Sequence, residues 1–492
     1  MEAVVTNRSI LLRPDHWLPL TIIVLAALWL RTYDLGQRPM HADEANQAVK
    51  TGELLESGRY EFDPLDHHGP TLYYAALPVA WSRSEKTLAT LSEVTVRLVP
   101  AVCGTLSVLL LAFLAAPLGR WPALAAAAFF AVSPPAVYYS RYFIQETLLL
   151  TFTLGTLVCA VRWWWSGAWG WAVGAGICVG LMQSTKASAP LFWGAFFIAL
   201  ATAGAGRPET KRPWHQLGIA VGAALAVMAL FYSSFGTHAA GLRDAVLTYS
   251  QGFQRVNEGN GHEKPWWYYL QLFTWQRNGG LVWEQLAFST LAVAGAIIAF
   301  ATKEKFLRWW AVYTGVVAVV LSLTPYKTPW HAVHLVPGLA VLAAGVIAIP
   351  RQWWAGAGLA VGVIALLAGQ TRLAVFKRPA DSRNPYAYVH SSADVLKYRA
   401  LAEAAIAASP QGAVRVIAEE YWPLPWYLRG LPQVGYWFAP PAECDGAIVF
   451  ASANYADSVR ARLHGVYRES YLGLRPDFIF VVFTPQINPG PK

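Results

Sequence analysis

Apolar and polar residues fall along this chain in long blocks, not in the short periods of a soluble domain. The apolar blocks run to roughly 15–20 residues, about what a helix needs to cross a bilayer. The first covers about 17–30. Ten more follow at about 96–118, 121–139, 143–161, 169–182, 187–203, 217–234, 281–301, 309–323, 332–349 and 353–367. The pattern therefore predicts a polytopic helical membrane protein with about eleven spans. The stretch 40–74 interrupts it. Pro39 suits a helix start, and Ala45, Ala48, Val49 and Gly52 form one small apolar face, so a short helix lying at the interface is expected there. Gly58, Pro64 and Gly69-Pro70 break regular structure, and the apolar run 71–81 is too short to span.

From about Ala374 the pattern changes again. Residues 381–388 form a polar linker, and 393–408 read as a helix stopped by Ser409-Pro410-Gln411-Gly412. Short β-rich runs at 414–418, 447–451 and 478–483, with a helix at 456–463 between two of them, predict a small α/β domain. The expected division is a transmembrane unit, 1–372, with outer-face loops 34–92 and 235–280, and a soluble extracytoplasmic unit, 373–492. No internal repeat, dinucleotide-type glycine fingerprint or Walker loop is visible.

Composition supports the membrane reading. Of 492 residues 55% are hydrophobic and only 14% charged, against about 25% charged in soluble domains. The net charge of +9 would raise the question of nucleic acid in a soluble protein. Here Arg8, Arg13, Arg120, Arg162, Arg207, Lys211, Arg212, Lys303, Lys305, Arg308 and Arg351 collect on one side, with few acids, Glu2, Asp15, Glu209 and Glu304. That is a positive-inside pattern, so no nucleic-acid partner is expected. It puts the N-terminus in the cytoplasm and the C-terminal domain outside, in a cell (plasma or inner) membrane. The first apolar run lacks a small-residue cleavage site and reads as an uncleaved span. The 23 Trp and 22 Tyr suit interfacial belts among membrane lipids. Of the four cysteines, three lie in apolar runs and Cys444 in the tail, with no disulfide or zinc spacing.

Orientation gathers the polar chemistry on the outer face. Asp43 and Glu44 are adjacent, so on a helix they point about 100° apart and take different roles. One faces a cavity, where Asp43 can accept a proton from a hydroxyl, and the other makes a structural contact. The bland alternative is a pair of acids suiting a helix N-terminus. Asp66, His67 and His68 have ligand types for a divalent metal, Mg or Mn, although their spacing matches no defined motif; a hydrogen-bonded loop is the alternative. Arg141 and Glu146 flank an outer turn. Arg141 can hold a phosphate and Glu146 can pair with it or share a metal; a structural Arg–Glu pair is the alternative. Lys186, Lys327 and His331 sit in two further outer turns, and with Arg141 the lysines make a candidate phosphate clamp. Snorkelling to lipid head groups is the alternative for each. His262-Glu263-Lys264 opens an aromatic run better read as interfacial.

The acidic pair in the first outer loop, the many spans and the external C-terminal domain resemble the GT-C glycosyltransferases. That superfamily includes protein O-mannosyltransferases and lipid A aminoarabinose transferases. His41-Ala-Asp43-Glu44-Ala, Asp66-His-His-Gly-Pro70 and Tyr326-Lys-Thr-Pro-Trp-His331 are more closely similar to a GT-C-related family labelled flippase activity-associated. The resemblance implies a GT-C-like fold and a sugar donor linked to polyprenyl phosphate. It implies Asp43 as catalytic acid/base, with Glu44 as its partner. The implied reaction transfers the sugar to a glycan, lipid or protein acceptor on the extracytoplasmic face. A flippase, or an accessory protein for lipid-linked sugars, is the alternative; it would need the basic residues but not Asp43.

Overall fold

A computed structural model describes residues 14–65, 68–204, 214–258, 261–349, 352–409 and 412–486. Arg8, Arg13, Asp66, His67, Arg207, Lys211, Arg212, Arg351, Pro410 and Gln411, all used in the sequence reading, lie outside these residues. The helices of the first half are α1 (Pro14–Thr32), α2 (Ala42–Ser57), α3 (Thr71–Ser82), α4 (Glu93–Ala115), α5 (Arg120–Val132), α6 (Pro134–Tyr139), α7 (Glu146–Ser166), α8 (Trp169–Gln183), α9 (Ala189–Ala203) and α10 (His215–Tyr232). After α11 (Ala240–Glu258) and α12 (Tyr268–Phe273), a hairpin of β1 (Trp275–Asn278) and β2 (Leu281–Glu284) leads into α13 (Leu286–Ala301), α14 (Lys305–Leu323), α15 (Val336–Ile347) and α16 (Trp353–Thr371).

Among the described residues, six helices are long and apolar enough to cross a membrane: Glu93–Leu118, Glu146–Ser166, His215–Tyr232, Lys305–Leu323, Pro329–Ile347 and Trp353–Lys377. Four shorter apolar helices accompany them. The segment Pro329–Ile347 is 83% buried, whereas His215–Tyr232 is 17% buried. The first is therefore a central post, and the second turns most of its surface outward. Small residues allow the close packing of the post: a Cβ on Gly295 of α13 would lie 2.1 Å from the Leu342 carbonyl oxygen.

Local chemistry moves several expected boundaries. The run 121–139 is two helices, because Pro134 and Pro135 open α6 at Ser133 and cannot donate into a continuing helix. The run 281–301 starts as a strand: Gly279 and Gly280 take positive φ and turn β1 into β2 before α13 begins. The interfacial helix begins at Ala42 with His41 as its cap, not at Pro39. A 3₁₀ turn, Pro329–His334, precedes α15.

The C-terminal unit comprises α17 (Val395–Ala408), β3 (Val414–Ile417), α18 (Leu424–Tyr427), β4 (Val434–Trp437), β5 (Ile448–Ser452), α19 (Ala456–Arg460), β6 (Tyr467–Arg475) and β7 (Phe478–Pro485). The sheet order is β4-β3-β5-β7-β6. The pairs β4–β3 and β3–β5 are parallel, while β5–β7 and β7–β6 are antiparallel. Strands β4 and β6 were not expected. Both are edge strands, and neither carries a fully buried apolar run. This unit docks on the segment between α1 and α4. The Trp426 indole donates to Glu93 Oε1 at 2.7 Å, Arg429 donates to the Leu91 carbonyl at 2.8 Å, and the Met40 N–H donates to the Tyr427 hydroxyl at 2.8 Å. One apolar cluster runs unbroken from Met40, Ala45 and Ala48 through Trp426 to Val416 and Phe450.

The 68–71 segment is zipped onto the turn after α8. Gly69 N–H donates to the Thr185 carbonyl at 3.1 Å and Thr71 N–H to the Ser184 carbonyl at 3.2 Å. A Cβ on Gly69 would sit 2.1 Å from Ser184 O, a backbone atom that cannot swing aside. Gly69→Ala is therefore expected to destabilise the protein by about 1–3 kcal/mol, the usual cost of overpacking. Thermal unfolding of the purified protein in detergent reads this; an unchanged midpoint would contradict the zippered contact.

Candidate active site

The end of the bundle beneath the C-terminal unit is built around one buried carboxylate. At the start of α2, His41 Nδ1 accepts from the Asp43 N–H at 3.1 Å while Glu44 Oε2 accepts from the His41 N–H at 3.1 Å, a capping box. Glu44 is 0% exposed. Arg38 Nη2 donates to both its oxygens at 2.9 and 3.0 Å, and Arg97 donates from Nε at 3.0 Å and Nη2 at 3.2 Å. The Phe143 N–H adds a bond at 3.1 Å. Burial pushes the Glu44 carboxyl up, but the two guanidinium groups outweigh it and hold the group at about 2. With its oxygens saturated by donors, Glu44 offers nothing to a substrate. Its place as a catalytic candidate is corrected to that of a positioning residue.

Arg141 is corrected for a similar reason. Its guanidinium donates to the carbonyls of Leu30 and Arg31 at 3.3 Å, Tyr33 at 2.6 Å and Asp34 at 3.0 Å. These carbonyls, at the end of α1 and just beyond it, need donors that the helix itself cannot supply. Arg141 thus caps a helix and does not clamp a phosphate. The expected Arg141–Glu146 pair is not made either.

Glu146 pairs with Lys186 instead. Glu146 opens α7, Lys186 lies in the turn between α8 and α9, and His331 lies in the 3₁₀ turn before α15. Lys186 Nζ donates to Glu146 Oε1 and lies 3.4 Å from His331 Nε2, which is 3.7 Å from the same carboxylate oxygen. His331 Nδ1 is held 3.2 Å from the Tyr269 hydroxyl and 3.3 Å from Thr328 Oγ1. Glu146 is 2% exposed, so the triad is a desolvated acid–base group drawn from distant parts of the chain. His68 belongs to the electrostatic surroundings of His331. Lys327 sits beside this group in sequence; its ammonium donates to the Thr324 carbonyl at 2.5 Å and its N–H to the His262 carbonyl at 3.1 Å.

Between the triad and Asp43 stands a closed circuit of rings. Centroid separations are 6.1 Å for Trp330–Tyr388, 5.7 Å for Tyr388–His262, 4.7 Å for His262–Tyr326, 6.4 Å for Tyr326–His331 and 6.5 Å for His331–Trp330. His41 continues it, 6.0 Å from the Trp330 ring and with Nε2 3.1 Å from the Tyr388 carbonyl. Asp43 lies beyond His41, with Oδ2 3.9 Å from Nδ1 and its side chain 51% exposed. Burial pulls His262 below its ordinary value while the charge of Asp43 opposes that pull, which puts the carboxylate within electrostatic reach of the ring circuit. The site thus has an open pole, Asp43, and a buried pole, Glu146–Lys186–His331.

The sequence reading missed Arg38 and Arg97. A charged residue inside the apolar run 96–118 was the available signal for Arg97, because intramembrane charge demands a partner. Tyr388, at the end of the linker, and His390, just beyond it, were passed over. No group of three or more His, Cys, Asp or Glu that could hold a metal exists among the described residues. Of the proposed ligand trio only His68 is described.

A helical membrane bundle carrying such a site under an α/β domain has the fold of the GT-C superfamily of membrane glycosyltransferases. The family model for dolichyl-phosphate-mannose-protein mannosyltransferase matches residues 85–232, a window that holds Glu146 and Lys186 but neither Asp43 nor His331. ArnT from Cupriavidus metallidurans, solved with undecaprenyl phosphate, is similar over 98% of this chain and 100% of its own, with 15% identity and a TM-score of 0.67. AglB from Archaeoglobus fulgidus, an archaeal oligosaccharyltransferase solved with an inhibitory peptide and a dolichol-phosphate, is similar over 94% of this chain and 73% of its own, with 14% identity and a TM-score of 0.55. No curated protein matches the sequence.

Glu44→Ala is expected to cost about 3–5 kcal/mol, because it strands two buried guanidinium groups. The carboxyl titrates lower in the folded than in the unfolded protein, so its contribution is complete above pH 4.5 and is lost as pH falls toward 2. Unfolding midpoints of wild type and Glu44→Ala, measured from pH 7 down to 3, should converge; a constant gap would contradict the ion-pair account.

Proposed function

We propose that this protein is a GT-C-type membrane glycosyltransferase that moves a sugar from a polyprenyl-phosphate donor to an acceptor hydroxyl on the extracytoplasmic face. The observation that carries the reading is the convergence of Glu146, Lys186 and His331 from separate elements into one buried group. A carboxylate that fixes a lysine beside an imidazole holds N–H donors in place for a phosphate. Three elements converging on it imply more than a lipid-facing snorkel.

In this mechanism Lys186, His331 and Lys327 hold the donor phosphate, and Glu146 positions Lys186. Asp43, half-exposed at the mouth, takes the proton of the acceptor hydroxyl. The hydroxyl oxygen bonds to the anomeric carbon as the bond from that carbon to the phosphate oxygen breaks. The electron pair leaves with the polyprenyl phosphate, whose charge the lysines neutralise.

The six long apolar helices and the four shorter ones, together with α8 packed along α7 and α10, support a bundle of about eleven spans. The basic loops support an N-terminus in the cytoplasm, with the site and C-terminal domain outside a cell membrane.

In vesicles reconstituted with a polyprenyl-phosphate sugar, Asp43→Asn is expected to reduce transfer by about 10²–10⁴-fold, the usual worth of a general base, with donor affinity unchanged. Full transfer by Asp43→Asn would overturn the assignment, and retained translocation of the lipid-linked sugar without transfer in wild type would mark a flippase instead. Lys186→Ala is expected to raise the donor KM by at least tenfold; an unchanged KM would remove Lys186 from the phosphate site.

A further inference from the structure

A cleft of 210 Å³ lies where the start of α2 faces the C-terminal sheet. Its lining includes Asp43 and Asn46 from α2 and Glu419, Tyr421, Trp422 and Phe438 from the C-terminal domain. We infer that this cleft is the acceptor subsite and that it takes a neutral glycan. The role as acceptor site rests on the transferase reading; the choice of ligand class rests on the cleft itself.

Hydrogen bonding points to a donor-rich ligand. Asn46 Oδ1 is buried and has no hydrogen-bond partner, while the Glu419 carboxylate accepts from Asn454 Nδ2 at 3.1 Å and from the Ser452 hydroxyl. A buried acceptor left unmade is costly, so Asn46 Oδ1 calls for a ligand that supplies a donor. The orphan is an oxygen, and the carboxylates that line the cleft with it can only accept. Sugar hydroxyls are such donors.

Charge and shape narrow the class. The carboxylates of Asp43, Glu419 and Glu420 line the cleft with a single guanidinium, Arg475, which is paired with Glu420. The surplus negative charge repels phosphate and uronate groups. The other wall is aromatic: the Tyr421 ring lies 5.1 Å from that of Phe438, which is 66% exposed. Exposed rings beside carboxylates suit the two faces of a sugar, C–H on one and hydroxyl on the other. The volume is below the range of drug-sized pockets, about 300–1,000 Å³; it fits a single sugar ring and excludes a lipid tail. Asp43 lines the same cleft, so a hydroxyl bound there lies next to the proposed base.

The test uses the full chain in detergent and saturation-transfer NMR with three probes: mannotriose, trigalacturonate and a blocked serine tripeptide. Mannotriose should bind saturably and the other two should not. Glu419→Gln and Phe438→Ala should each weaken mannotriose binding at least tenfold. Phe438 is largely exposed, so its variant keeps the fold, as the unfolding midpoint will show. No mannotriose binding, equal binding by both variants, or comparable binding of the anionic or peptide probe overturns the inference. This result is separable from the transfer assay. Active Asp43→Asn with intact mannotriose binding sinks only the base assignment, and full wild-type transfer with no mannotriose binding sinks only the cleft.

Discussion

The candidate site depends on the buried ion group of Glu44, Arg38 and Arg97. Two charged guanidinium groups inside a membrane protein are tolerable here because Glu44 lies between them, and removing it leaves two buried cations without a counter-charge. The set ties together segments far apart in sequence. Arg97 comes from a membrane helix and also donates to the Leu35, Arg38 and Pro39 carbonyls. Arg38 reaches the Arg141 carbonyl at 2.8 Å and stacks 3.7 Å from the Tyr142 ring. Glu44 closes the capping box that fixes the first turn of α2, and Asp43 rides on that turn. The position of the exposed acid is thus set by its buried neighbour.

From this anchor the chemistry divides by environment. Asp43 is solvated, where a carboxylate can exchange protons with an arriving hydroxyl. Glu146, Lys186 and His331 are desolvated, where charge acts strongly on a bound anion. The ring circuit of Trp330, Tyr388, His262 and Tyr326 stands between them and offers surface to both. Because the C-terminal domain shares an apolar cluster with the loops that carry Asp43, its cleft-lining residues are held against the site by packing rather than by a tether.

Much of the architecture was legible because a bilayer demands long apolar blocks and a sheet demands short β-branched ones. The boundaries that moved did so for local reasons: Pro134-Pro135 ended one helix early, and Gly279-Gly280 converted the start of another into a hairpin. The candidate site was legible only as an inventory. Sequence marks Arg141 as a charge near the membrane but cannot show that the end of α1 lies against it and uses its donors. It marks Glu146 and Lys186 separately, 40 residues apart, without pairing them. Glu419 and Phe438 carry no motif, and their relation to Asp43 exists only after the C-terminal domain docks.

The central claim is that a lipid-linked phosphate is received by the Glu146–Lys186–His331 group on the outer face. The most direct measurement is a cryo-electron-microscopy structure of the full chain with polyprenyl phosphate. The account predicts the phosphate within hydrogen-bond reach of Lys186 Nζ and His331, with the lipid tail leaving into the membrane. A phosphate bound elsewhere, with the Lys186–Glu146 pair untouched, would contradict it.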